Sequence, residues 1–267
     1  MCGRYTLTRQ QGVIEDLQAS LEVSVAQSAW WKPRFNVAPT QPAPVVTLHE
    51  GRRTIEMMRW GLVPFWARAE SIDVGPQRSK DRHHLTARAP LAGAGAEGKR
   101  TPLMINARVE TLPTKPVFRD ALARRRCLVP ADGFFEWKRT DLPPGTKKPL
   151  PIYLHPASGK VIAFAGLWDK AKTAAGELLS FTIVTCPANE LVKPIHDRMP
   201  VVLDPSAYAA WLDPTLDADR ARALLEVPPL NDWRGEPVST WVNSAQHDDP
   251  ACIERVAPES AAQRSLF

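Results

Sequence analysis

With 44% hydrophobic and 24% charged residues over 267 positions, the chain has the composition of a soluble globular protein, with room for one large domain or two small ones. A formal charge of +5 biases it toward polyanionic partners. The four cysteines (Cys2, Cys127, Cys186, Cys252) are widely spaced with no CxxC pair, and no apolar run reaches membrane-spanning length. Zinc site, disulfide framework and membrane span are thereby disfavoured, and a reducing, cytoplasmic setting is expected.

Met1-Cys2-Gly3-Arg4-Tyr5 opens the chain. Cys2 is small enough for an aminopeptidase to remove Met1, leaving an α-amine and a thiol on one residue. These groups titrate near about 8 and about 8.5, so both are partly nucleophilic at neutral pH. The amine can condense with an aldehyde to a Schiff base, and the thiol can close on the same carbon as a thiazolidine. On position alone, Cys2 also reads as an incidental terminal residue. A strand over 3–7 follows. Thr8 with Gln11 suggests a capping box for a helix whose apolar face is Val13, Ile14, Leu17 and Leu21.

The segment Arg34–Gln41 reads as irregular and rich in polar donors, including Asn36. Strands over 45–48 and 54–60 flank Glu50-Gly51 as a hairpin. Trp60, Phe65 and Trp66 stand in a loop broken by Gly61 and Pro64, where they either pack the core or offer a base-stacking platform. Residues 68–102 lack apolar periodicity and read as a flexible, basic insertion; His83-His84 there has no third partner spaced for a metal.

Order resumes with a strand and turn over 104–110, a short helix over 118–122 ending in three arginines, and a strand over 127–130 that turns at Asp132-Gly133. Glu136 then sits between Phe135 and Trp137. Desolvation there raises a carboxyl pKa and suits it to proton transfer, while the alternative is a surface glutamate on a half-buried strand. Strands are expected over 149–154, 161–168 and 179–185. A turn and short helix lead to Ile195-His196-Asp197-Arg198-Met199-Pro200, where Arg198 favours anion contact, and a strand follows over 201–203. Helices over 206–212 and 216–227, a last strand over 238–242 and a disordered tail complete the chain. The expected fold is one α+β domain with a curved, barrel-like, mostly antiparallel β core and peripheral helices.

Six collinear segments carry a resemblance: 1–5, 35–40, 60–64, 104–111, 127–137 and 195–200. Together they are similar to the SOS-response-associated peptidase (SRAP) family over residues 2–245, with 68–102 as an insertion longer than in compact members and 246–267 as a tail. The resemblance implies an α+β barrel-like fold and covalent crosslinking to abasic sites in single-stranded DNA. Its active-site positions fall on Cys2, Asn106, Glu136 and His196. Its phosphate-contacting positions fall on Arg4, Arg108 and Arg198; Asn36, Trp60 and Trp66 complete the expected DNA-binding set. Neither metal nor organic cofactor is implied. The expected partners are abasic single-stranded DNA and replication-fork proteins, for a monomer that is cytoplasmic and nucleoid-associated when DNA-bound. Strand-cleaving lyase activity accompanies that reading. A Cys2 thiol autopeptidase and a non-enzymatic reader of modified bases are the competing ones.

Overall fold

The computed structural model describes residues 2–21, 32–67, 103–139, 149–173 and 176–256. The expected insertion over 68–102 and the tail beyond Val256 lie outside the described residues.

Strand β1 (Arg4–Leu7) is buried along its whole length because it has a neighbour on each side. It pairs antiparallel with β3 (Arg34–Val37) and with β8 (Gly133–Lys138). The polar segment around Asn36 is thus a strand at its start, not irregular: pairing with β1 and the Asp248 carboxylate, which accepts from the Phe35 and Asn36 amides, satisfies its backbone. β9 (Leu150–Pro156) and β13 (Trp233–Pro237) complete this sheet in the order β13-β9-β8-β1-β3.

The second sheet closes on itself. β4 (Pro42–His49) and β5 (Arg52–Trp60) form the expected hairpin, longer than the alternation suggests. Its turn residues Glu50 and Gly51 both have positive φ (48° and 75°), the two-residue turn whose twist matches that of the strands. β7 (Arg126–Ala131), β10 (Ile162–Thr173) and β11 (Gly176–Pro187) extend it in the order β5-β4-β7-β10-β11, and β11 returns to pair parallel with β5 at Phe181↔Trp60. β6 (Asn106–Arg108) continues parallel along β11, β12 (Arg198–Pro200) pairs with its end, and β2 (Ser20–Leu21) lies parallel to β5. The remaining pairings between described strands are antiparallel. The α+β fold with a barrel-like, mostly antiparallel core is therefore as expected. At the closure Gly61 has φ 119°, and a Cβ there would meet Leu103 at 2.2 Å, so this position requires glycine.

Aromatic side chains fill the space between the sheets. Trp60 stacks on Phe181 and meets Tyr5 edge-on at 5.2 Å, while Phe164 packs edge-on to both Tyr5 and Phe134. Trp60 is accordingly a core residue, and the base-stacking role is corrected by its complete burial.

Helices are short and peripheral: α1 (Gln10–Glu15), α2 (Pro116–Arg124), α3 (Tyr208–Leu212) and α4 (Ala218–Ala223). No helix among the described residues is long and apolar enough to cross a membrane. The Thr8 capping box is not formed, because the Asp132 carboxylate takes the Thr8 amide and hydroxyl instead. Leu21 belongs to β2 rather than to the helix. The segment 189–195 is a series of turns, in which the Asn189 side chain accepts from the Val192 amide. The 201–203 strand forms three residues earlier, as β12, and the 238–242 strand is replaced by β13 and a 3-10 turn over Thr240–Asn243. There the Ser239 hydroxyl accepts from the Trp241 amide and starts the turn.

Two buried polar side chains join the layers. Arg126 donates to the carbonyls of Leu122, Ala123, Trp211, Asp213 and Leu216, satisfying the ends of α2 and α3. Asp132, at the corner joining β7 to β8, accepts from the Thr6 hydroxyl, from both Thr8 donors and from the Arg9 amide. Asp132→Asn presents an amide group to donors that need an acceptor. The expected cost is about 2 kcal/mol, read as a lower urea midpoint at unchanged slope.

Candidate active site around Cys2

Cys2 lies two residues before the start of β1 and is completely buried as a free thiol. Burial, reinforced by the nearby Glu136 carboxylate, pushes its pKa well above the ordinary thiol range. The thiol is therefore protonated at neutral pH.

Asn106 is brought to Cys2 by the barrel. Parallel pairing aligns it with Ile183, and the Trp60 indole N–H donates to the preceding carbonyl, that of Ile105, at 2.9 Å. Asn106 Nδ2 donates to the Cys2 carbonyl at 2.8 Å, while its buried Oδ1 has no hydrogen-bond partner. One half of the carboxamide fixes the Cys2 backbone and the other remains as an acceptor.

Glu136 lies on β8. It follows Phe135, the partner of Arg4, and its charge acts on the Cys2 thiol. It is 2% exposed. Burial raises its pKa to about 7, with Asp197 adding to the rise and Arg139 opposing it. The desolvation expected from its aromatic neighbours is present, and the surface-glutamate reading is set aside.

His196 is partly buried, and burial holds its pKa below the usual imidazole value. Its Nδ1 accepts the Arg198 amide at 3.0 Å and also lies 2.8 Å from Asp197 Oδ1. These contacts suit different states of the ring. In the neutral ring the amide bond keeps Nδ1 bare and puts the proton on Nε2, whereas Asp197 favours a protonated Nδ1. The charges of Asp197 and Arg139 act on both His196 and Glu136, so the two titratable groups share one neighbourhood.

The expected DNA-contacting residues divide sharply. Arg4 is buried, donating to Asn36 Oδ1 at 2.9 Å and to the Val242 and Asn243 carbonyls, and desolvation lowers its pKa to about 10. Asn36 is buried too and donates to the carbonyls of Val242, Ser244 and His247. Both fasten the 240–248 segment to β1 and β3 instead of facing solvent. Residues 246–256, read from sequence as the start of a tail, pack there through Asp248 and the buried Cys252.

Arg198 is gripped by Glu110 through two hydrogen bonds of 2.5 and 3.0 Å and donates to the Thr185 carbonyl at 2.7 Å. It ties the turn after β6 to the His196 segment. By contrast, Arg108 is exposed, and Trp66 is 56% exposed. From sequence Glu110 has no side-chain role and Asp132 only that of a turn residue. The signal was available for Glu110, which lies four residues after Asn106 and carries the charge opposite to Arg198.

The Arg198 hydrogen bond holds the Glu110 carboxyl below its usual range. The stabilisation from this pair is therefore complete above the unfolded-chain pKa of about 4.3 and disappears as pH falls through the lower folded value. Glu110 is half exposed, so Glu110→Gln should cost under about 1 kcal/mol at neutral pH. Urea melts of the two proteins should differ at neutral pH and converge as pH falls through the lowered folded value.

Comparison with known proteins agrees with this arrangement. The family model for SOS response associated peptidase (SRAP) matches residues 1–245. The chain is 37% identical over 257 residues to Abasic site processing protein YoqW of Bacillus subtilis, covering 95% of this chain and 99% of that one. It is 27% identical to Abasic site processing protein YedK of Escherichia coli, covering 96% and 100%. A crystal structure of a protein from Bacteroides thetaiotaomicron shares the fold, with a TM-score of 0.74 at 22% identity, covering 96% of this chain and all of that one. With its barrel, its buried Cys2 and this match over nearly its whole described length, the chain belongs to the SRAP family.

Proposed function

We propose that the protein processes abasic sites in single-stranded DNA by covalent capture of the ring-opened sugar on Cys2. The observation that carries this reading is the grouping at Cys2: its carbonyl is held by Asn106, and Glu136, with a pKa of about 7, lies beside it. The names of the relatives, abasic site processing proteins, support the choice of substrate.

The chemistry requires a free α-amine on Cys2, left by removal of Met1. His196 in its protonated form donates its Nε2 proton to the ring oxygen, the Glu136 carboxylate takes the proton of the anomeric hydroxyl, and the sugar opens to its aldehyde. The α-amine then adds to the aldehyde carbon. Loss of water, with the proton delivered to the departing hydroxyl by protonated Glu136, gives the Schiff base. The Cys2 sulfur next adds to the same carbon, and its proton passes through Glu136 to the nitrogen. The product is a thiazolidine, and one water is released overall. Asn106 Oδ1, a buried acceptor with no partner, accepts from the amine and orients its lone pair. Before the ring closes, the Schiff base permits β-elimination of the 3′ phosphate, so strand cleavage competes with capture.

A thiol protease needs a thiolate–imidazolium pair, with cysteine pKa depressed. Here burial drives the Cys2 thiol up and His196 down, the reverse of that pattern. A neutral thiol suits the second addition, in which sulfur and proton are delivered together.

The test is the intact mass of the protein after incubation with a single-stranded oligonucleotide containing one abasic site. A mass increase equal to the oligonucleotide less one water, stable to denaturant and absent in Cys2→Ala, is expected. No adduct, with Met1 removed and the abasic site verified, would overturn the reading.

A further inference from the structure

Of the arginines matched to phosphate contact, Arg4 and Arg198 are already engaged inside the protein, and Arg108, on the strand of Asn106, is exposed. β8 supplies a further exposed cation. Its register against β1 ends at Arg4↔Phe135, and β8 runs on through Lys138 beyond that pair, on the side where Gly3 and Cys2 precede β1. The strand therefore overruns the start of β1, and Arg139 follows directly at its end. The overrun is held in place: Lys138 pairs with Leu150, and the Trp137 indole donates to Asn243 Oδ1 at 2.7 Å. Arg139 is exposed, and no ion pair or hydrogen bond occupies its guanidinium among the described residues. Its charge nonetheless lowers the pKa of both Glu136 and His196, so it lies within electrostatic reach of the groups that would carry the chemistry.

We propose that Arg139 is a phosphate-binding residue of this site, holding a backbone phosphodiester of a single strand whose sugar enters at Cys2. The inference rests on the proposed function and extends it to a residue that neither composition nor family resemblance singled out. A guanidinium presents two parallel N–H donors that match two phosphate oxygens, and one on a strand-end backbone keeps a defined position with little reorganisation. Arg139 also differs from Arg198 in needing no internal carboxylate to be displaced before phosphate can bind.

The experiment measures non-covalent binding in a Cys2→Ser background, by fluorescence anisotropy with a labelled single-stranded oligonucleotide, across a series of salt concentrations. Arg139→Gln is expected to weaken binding roughly threefold to tenfold at about 0.1 M salt and to reduce the slope of log K against log salt by about 0.7, one phosphate contact on a single strand. Arg139→Lys keeps the slope. Arg52→Gln, at the opposite end of β5 from Trp60, changes neither quantity. An unchanged slope in Arg139→Gln, or an equal fall in Arg52→Gln, sinks the assignment while leaving the capture reading intact. A Cys2→Ser parent that fails to bind any single strand sinks both.

Discussion

Glu136→Gln is expected to slow covalent capture by about a hundredfold or more while raising thermal stability at alkaline pH. The two effects come from one cause. Glu136 is buried on β8, where its charge is poorly solvated and its pKa rises to about 7. An unfolded glutamate titrates near about 4.3. Between those values the folded protein holds a proton that the unfolded chain has already released. Stability is therefore greatest below the lower value and falls as pH rises through the upper one, by on the order of 1–3 kcal/mol. Glutamine fits the same space and carries no such pH dependence. Melts near pH 4 should nearly coincide for the two proteins, and at pH 8 the variant should melt higher. Equal melting at both pH values would mean that Glu136 is not desolvated, and its assignment as the proton shuttle would lose its physical basis.

Much of this site was legible in the sequence because its determinants are local. The hairpin declared itself through Glu50-Gly51 between alternating strands, and the desolvation of Glu136 followed from its two aromatic neighbours. What stayed hidden depends on long-range closure. Parallel pairing of β5 with β11 joins residues 60 and 181, and nothing in either strand's alternation announces a partner so distant. That closure places the indole of Trp60 on the Ile105 carbonyl and Asn106 on Cys2.

The arginines show the same limit. Resemblance assigns Arg4, Arg108 and Arg198 alike to phosphate, yet the fold uses Arg4 to bind backbone carbonyls 238 and 239 residues away and Arg198 to bind Glu110. Which cations remain open is a property of the assembled surface. A buried guanidinium already satisfied by carbonyls gains little from a phosphate that it must move to reach. Arg4→Ala is thus better read as a stability change than as a loss of DNA contact.

Trp60→Ala should destabilise the fold by about 3–5 kcal/mol, whereas Trp66→Ala should leave stability within about 0.5 kcal/mol of the parent. The two tryptophans lie six residues apart in one motif, and sequence alone gave them the same two readings. Burial separates them. Trp60 stacks on Phe181, packs edge-on against Tyr5 of the Cys2 strand, and anchors the residue before Asn106. Its loss leaves a cavity between the two elements that must meet for Asn106 to reach Cys2, so capture should slow along with the fall in stability. At a few degrees per kcal/mol for a domain of this size, the melting temperature should drop by roughly 10 °C. Trp66 is more than half exposed, and a base stacked on it is worth about 1–3 kcal/mol of single-strand affinity. Melting curves and oligonucleotide affinities of the two variants should therefore diverge in opposite directions. A Trp60 variant that melts like the parent would contradict the core packing described here, and a Trp66 variant that binds DNA like the parent would remove the stacking role from this loop.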